Sequence, residues 1–303
     1  MIGSVRKPEV FRRDQRQGPA ARGVAGPRRQ GVYIAAGVAV AVVLVLVAPV
    51  ARLVTPGVVV VPGSAAPAAD SPDPPPVVRS EYPPLPADSR YPDRVLPPVN
   101  TTATGERAFN SSRPDGSPMR FDPCRPIHWV LNPDEMPAGG EQVLREAVAE
   151  ISAATGLAFV DDGLTTERVD DDRESVQPQR YGDRWAPVLV DWVDNSEVTY
   201  PDEEVAGVAS RTVVTPSGTP ESARYVTGWV GLNRAWFTEA LADPARAPVA
   251  RGLMLHELAH LVGLDHVKDP TQVMHATSDT TGLGDGDREG LAIAGAGECY
   301  ADT

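Results

Sequence analysis

Histidine and cysteine are scarce in this 303-residue chain, at five and two, and beyond the first 30 residues positive charge is scarce as well. Those 30 residues carry eight Lys/Arg against two acids, which leaves 20 basic and 39 acidic residues for the rest. A body so acidic repels phosphate, so nucleic acid is excluded as a partner. With only Cys124 and Cys299, near the two ends of the expected folded region, the chain can form one disulfide at most. Outside the cytoplasm the two read as a pair. The alternatives are two buried thiols, or a Cys124 thiolate plugging a metal. No internal repeat is present.

Charge is absent from Gly31 to Ala51, a run rich in Val, Ala and Leu. As a helix these residues span ~31 Å, close to the hydrocarbon thickness of a bilayer. A secretory signal would be shorter, and the small residues Ser64-Ala65-Ala66 lie well past the run, so an uncleaved anchor over 31–54 is expected. Release after cleavage is the alternative. Arg6, Lys7, Arg12, Arg13, Arg16, Arg22, Arg28 and Arg29 precede the span, which keeps a tail of residues 1–30 cytoplasmic and the acidic bulk outside.

Proline reaches 31 residues and concentrates beyond the span, with Pro74-Pro75-Pro76, Pro83-Pro84 and Pro97-Pro98. Such a stretch favours extended polyproline II. Residues 55–119 are therefore read as a disordered stalk or linker, and 120–303 as the domain. Within it, alternation of Ile127, Trp129 and Leu131 marks a strand. Val143, Leu144, Ala147, Val148 and Ile151 share one face of a helix over Gly140–Thr155, stopped by Gly156. Short strands are expected at Leu157–Val160 and Pro187–Val193, with an irregular acidic stretch between them. Val205–Val214 and Arg224–Leu232 read as a hairpin-like pair. Pro248–Val262 is the longest helical pattern, ended by Gly263. Strands and helices in this order give an α/β (α+β) fold with a twisted mixed sheet.

That last helix carries His256, Glu257 and His260. Four-residue spacing puts both imidazoles one turn apart on one face, suited to a single tetrahedral zinc. The neighbouring Glu257 carboxylate can reach a metal-bound water, as a general base must. Gly263 can turn the chain back, and His266 then arrives as a third imidazole, leaving a fourth zinc position open.

The run HELAHLVGLDH (residues 256–266) with Met274 eight residues on resembles the metzincin metalloproteases, and LDHVKDPTQVM looks most like their matrixin branch, in a divergent, bacterial-type form. The resemblance implies one catalytic zinc on His256, His260 and His266, Glu257 as base, and Met274 in a turn beneath the metal. It implies a five-stranded mixed sheet, a central zinc-binding helix and a C-terminal subdomain. It also implies that the strand containing Ala206, Gly207, Val208 and Ala209 borders the cleft, where an extended peptide pairs with it through donors such as the Val208 N–H. The family's second, structural zinc is not expected, because no histidine lies between His128 and His256. Its cysteine switch is not recognisable around Cys124. Ala276, two residues after the methionine, replaces the tyrosine found there in astacin-like members.

Lesser candidates have plainer readings. His275 can face the cleft or simply solvent, and His128 reads as a surface or packed histidine. Asp161, Asp162, Asp170, Asp171 and Asp172 offer calcium only weakly, since their spacing matches no defined cage. Trp185, Trp192, Trp229 and Trp236 read as core. The function expected is a membrane-anchored zinc endopeptidase acting outside the cell on extended protein substrates. The alternative is a catalytically weak or inactive zinc-binding ectodomain, a binding module of the cell envelope.

Overall fold

The computed structural model describes residues 82–84, 93–194 and 206–300. The expected tail 1–30, span 31–54 and most of the stalk lie outside the described residues. No helix among the described residues is long and apolar enough to cross a membrane.

In chain order the elements are β1 (Ala108–Phe109), β2 (Ile127–Leu131), α1 (Gly140–Thr155), β3 (Phe159–Leu164), the one-turn α2 (Pro178–Tyr181), β4 (Val188–Val193), β5 (Gly207–Val214), β6 (Arg224–Asn233), α3 (Arg234–Ala242), α4 (Ala247–Leu261), β7 (Leu264–Asp265) and α5 (Asp285–Gly295). Five strands form one sheet in the order β3-β2-β4-β6-β5, and β1 pairs with β7 in a second, two-stranded sheet. β3, β2, β4 and β6 run parallel, and β5 is antiparallel to β6 at one edge. The mixed α/β architecture expected from the sequence is therefore present.

Strand alternation divides the core. Trp129, Leu131, Val188, Val190, Trp192, Val230 and Leu232 join the main cluster, together with Leu144 and Ile151 of α1 and Met254, Leu255 and Leu258 of α4. Their sequence neighbours Val130, Leu189, Val193 and Trp229 form a smaller cluster with Val169. Since successive strand residues point to opposite faces, these two clusters cover the two faces of the sheet. A parallel sheet needs both faces covered, which is why β4 is buried at all six positions.

Two expectations are corrected. The irregular acidic stretch begins inside β3, which starts at Phe159 and continues to Leu164. Its carboxylates are taken up by neighbouring side chains: Asp161 pairs with Arg145, while Asp162 pairs with Arg184 at 2.6 Å and meets His128 Nδ1 at 2.8 Å. Packed structure also begins well before residue 120. Arg94 donates to the carbonyls of Leu96, Gly156 and Gly295, so one guanidinium caps the last turns of both α1 and α5. Tyr82 lies against Trp185, with ring centroids 5.7 Å apart. A proline-rich composition removes donors but leaves carbonyls and occasional side chains, and these suffice for docking.

Cys124 and Cys299 are paired, with Cα atoms 5.2 Å apart and a sequence separation of 175. Asp122 supports the join by accepting from the backbone of Cys124 and Tyr300 and from Arg125 Nε. Closing so long a loop contributes on the order of 4–5 kcal/mol through the unfolded chain. Reduction, or Cys124→Ala, should therefore lower the thermal midpoint by on the order of 10 °C. An unchanged midpoint in fully reduced, still folded protein would show that the bridge adds no stability.

Candidate metal centre

Helix α4 is buried on nearly every side, including His256 and Glu257. A core helix of this kind takes apolar residues all round, so two imidazoles and a carboxylate on it need a partner. At its end Val262 N–H and Gly263 N–H bond back to Leu258 O and His260 O. Gly263 adopts φ 112°, a backbone that disfavours side chains, and the chain reverses into β7. β7 is held by β1 and by Asn110, whose N–H donates to Gly263 O at 3.0 Å. Directly after β7 comes His266.

The three imidazoles converge. His266 Nε2 lies 3.2 Å from His256 Nε2 and 3.1 Å from His260 Nε2. A tetrahedral zinc with ~2.05 Å nitrogen ligands separates them by about 3.3 Å. The opposite ring nitrogens are engaged, His256 Nδ1 with Val273 O at 2.6 Å and His260 Nδ1 with Leu264 O at 2.9 Å. A carbonyl only accepts, so each Nδ1 carries the proton and each Nε2 turns a lone pair toward the common point. Lone pairs facing one another repel unless a cation lies between them, so the donor set fits a metal ion. Burial, more than the neighbouring imidazoles, lowers the His256 pKa to about 4 and that of His260 well below its usual value. Both rings are thus neutral, as ligation requires. His256 is buried, His260 half-buried and His266 exposed, so the centre opens on the His266 side.

Glu257 is 5% exposed, and its Oε2 has no hydrogen-bond partner among the described residues. Burial alone pushes its carboxyl up to about 8, and a cation held by the imidazoles would draw it back toward the carboxylate form that a base needs. Met274 is buried behind the His266 loop, its carbonyl accepting from Val267 N–H at 3.0 Å. The turn that carries it is held by a residue the sequence reading missed. Asp287, in the first turn of α5, accepts from the N–H groups of Val273 at 2.6 Å, Met274 at 3.2 Å and Gly284 at 2.8 Å. Since the peptide unit that gives Val273 O to His256 Nδ1 gives Met274 N–H to Asp287, the aspartate reaches the first imidazole through one peptide unit. An aspartate three residues past Gly284, at a helix start, was the available signal. Two further contacts were also unforeseen. Glu106 accepts from Lys268 N–H and Asp269 N–H, bracing the loop after His266. Arg211 of β5 donates to His260 O at 2.5 Å.

The remaining candidates do not join the centre. His275 is half-buried and its Nδ1 meets Thr277 Oγ1 at 3.4 Å. His128 lies on β2 with Asp162 and Arg184. Among the described residues the acidic stretch forms no cluster able to hold a cation, and the Asp122, Cys124 and Cys299 grouping is taken up by the disulfide.

β5 is the outer strand on its side of the sheet, and among the described residues no strand pairs with its other edge. Ala206 immediately precedes it. Asn233 N–H donates to Ala206 O at 2.9 Å, which fixes the phase of the antiparallel pairing. By alternation Ala206, Val208 and Ser210 turn their backbone groups toward β6, while Gly207, Ala209 and Arg211 turn theirs outward. The Val208 N–H is therefore spent within the sheet, and the outward donors expected at this edge are those of Gly207 and Ala209.

No family model matches the chain, and no curated protein does. A solved structure, the GM1-bound form of the ECX AB5 holotoxin, is 12% identical, with a TM-score of 0.37, and the match covers 66% of this chain and 93% of that one. Likeness at that level carries no argument about fold or function.

Proposed function

We propose that the chain is a zinc-dependent endopeptidase of metzincin type, matrixin-like, that hydrolyses extended protein segments and is displayed outside the cell by an N-terminal membrane anchor. One observation carries the reading: three imidazole Nε2 atoms converge on a point while backbone carbonyls hold two of the opposite nitrogens, with an unpartnered carboxylate oxygen on the same helix. The motif HELAHLVGLDH and Met274 supply the identity of the metal and of the reaction. The Gly31–Ala51 run and its basic flank supply the location.

Zinc at this point supplies Lewis acidity, polarising a peptide carbonyl and acidifying water at neutral pH. The chain's own residues do the rest. His256, His260 and His266 hold the ion. Glu257 Oε2 receives the proton of the attacking water and passes it to the leaving amine nitrogen. The outward edge of β5 orients the substrate, which adds as a further strand with backbone bonds giving affinity. A folded helix cannot pair in this way, so unfolded or looped segments are the substrates.

The direct experiment measures zinc per chain and cleavage of an unfolded protein by the full-length chain. One zinc, with cleavage stopped by a chelator and restored by zinc, is the expected result. One zinc with no cleavage of any unfolded substrate would leave a binding module instead. Ala209→Pro tests the docking mode, because it removes an outward donor without breaking a bond to β6. It should raise KM several-fold with zinc content unchanged. An unchanged KM in folded, zinc-loaded variant would rule out pairing at this edge.

A further inference from the structure

The face of β5 turned toward α4 consists of Gly207, Ala209 and Arg211, alternate residues of the strand. Arg211 meets α4 at the His260 carbonyl, and Ala209 packs into the main core. Gly207 meets it at Glu257. A Cβ placed on Gly207 lies 2.7 Å from Glu257 Cγ, 2.9 Å from Cδ and 3.1 Å from Oε1. Real side chains do not approach so closely, so the carboxylate lies where a side chain at 207 would be.

Glycine weakens a strand, and its usual justification is either a backbone that other residues avoid or a close approach of a neighbour. Gly207 has no such backbone, since it is not among the positive-φ glycines. The close approach of Glu257 is the reason left. The strand cannot retreat cheaply, being bonded to β6 on either side of Gly207 through Ala206 and the Val208 pairing. Glu257 is itself buried, at 5% exposure. A side chain at 207 must therefore displace the carboxylate and not the strand.

We propose that Gly207 is a positioning residue for Glu257: the bare backbone of the edge strand is the seat that fixes the carboxylate of the residue following the first imidazole. The same residue turns its N–H to the outward edge, so a peptide pairing with β5 is brought past the base at this point. The kinetic consequence rests on the endopeptidase reading, whereas the packing consequence does not, and the test separates the two.

Gly207→Ala is made in the full-length chain, alone and combined with Glu257→Ala, and the thermal midpoints form a double-mutant cycle. If the two side chains collide, Gly207→Ala lowers the midpoint in the parent and the loss disappears in the Glu257→Ala background. An equal loss in both backgrounds would overturn the proposal, since the added methyl would then be meeting something else. Alternatively, the carboxylate swings aside at little cost. The midpoint is then unchanged, kcat falls at least tenfold, and KM and zinc content stay within twofold. No change in midpoint, kcat or KM would also overturn it. Absence of cleavage by the parent would count against the endopeptidase reading alone, and the midpoint cycle would still decide the contact.

Discussion

Glu257→Gln should retain one zinc per chain and lose at least a hundredfold in kcat on an unfolded protein substrate, within the range by which a positioned acid–base group accelerates a reaction. The amide keeps the shape that fits against Gly207, so packing on β5 is preserved. The hydrogen bonds that fix His256 and His260 do not pass through Glu257, because they run to Val273 O and Leu264 O. The ligand set therefore survives. What the variant loses is the basic oxygen: an amide neither takes up a proton at neutral pH nor returns one to a leaving amine. A second readout follows from burial. A carboxyl with an oxygen unpartnered in the interior destabilises the fold, whether it stays charged or takes up a proton to avoid charge, and a neutral amide removes that cost, so the thermal midpoint should hold or rise. Equal turnover by variant and parent at equal zinc content would reject Glu257 as the base.

The gathering of the three imidazoles was legible because its determinants are local. His256 and His260 are bound to one face by helical spacing, and Gly263 with φ 112° does what a glycine after the last turn announces. β2 and α1 were legible for the same reason, since Ile127, Trp129 and Leu131 alternate and Gly140–Thr155 carries a 3.6-residue period. α5 was not. Three glycines in eleven residues argue against a helix, yet they are there for close approach. A Cβ on Gly286 would lie 2.1 Å from Glu106 O, and one on Gly295 1.8 Å from Thr155 O. The pattern that hid α5 is thus the one that lets it dock. α3 was missed because two turns show too little periodicity, although Asn233 caps it by accepting from Trp236 N–H. β1 has two residues and no pattern at all. Its existence depends on β7, where Asp265 pairs with Ala108 from 157 residues away, a partnership no local signal contains. The outward phase of β5 was equally illegible: alternation shows which side chains share a face, but which backbone groups face β6 needed the bond from Asn233.

Contacts around the centre also explain how an open site can stay in shape. The His266 loop is exposed, yet its backbone is tied on both sides, by β1 to β7 before the ligand and by Glu106 to Lys268 and Asp269 after it. Asp287 holds the following turn from α5. The ordered residues ahead of the expected domain boundary thus help to position the third imidazole, which is placed by a turn where the other two have a helix.

Removing a ligand should separate the three histidines by their surroundings. His256→Ala and His260→Ala should each lose stoichiometric zinc and all cleavage, since two remaining imidazoles cannot hold an ion against its exchange with water. The loss is visible without any substrate. An ion that binds only the folded chain stabilises it by about 2.7 kcal/mol at a hundred times its dissociation constant. Added zinc should therefore raise the parent's midpoint by about 5–10 °C and leave both variants unmoved. Without zinc the variants should differ among themselves. His256 is buried and its Nδ1 bonds Val273 O, so its truncation opens a cavity and frees the turn that Asp287 holds. His266 is exposed, so His266→Ala should fold like the zinc-free parent and lose only the metal. Tightly bound zinc in His256→Ala or His260→Ala would mean that other residues hold the ion. A zinc-free midpoint for His266→Ala below that of His256→Ala would mean that the third imidazole, and not the first, supports the fold around the centre.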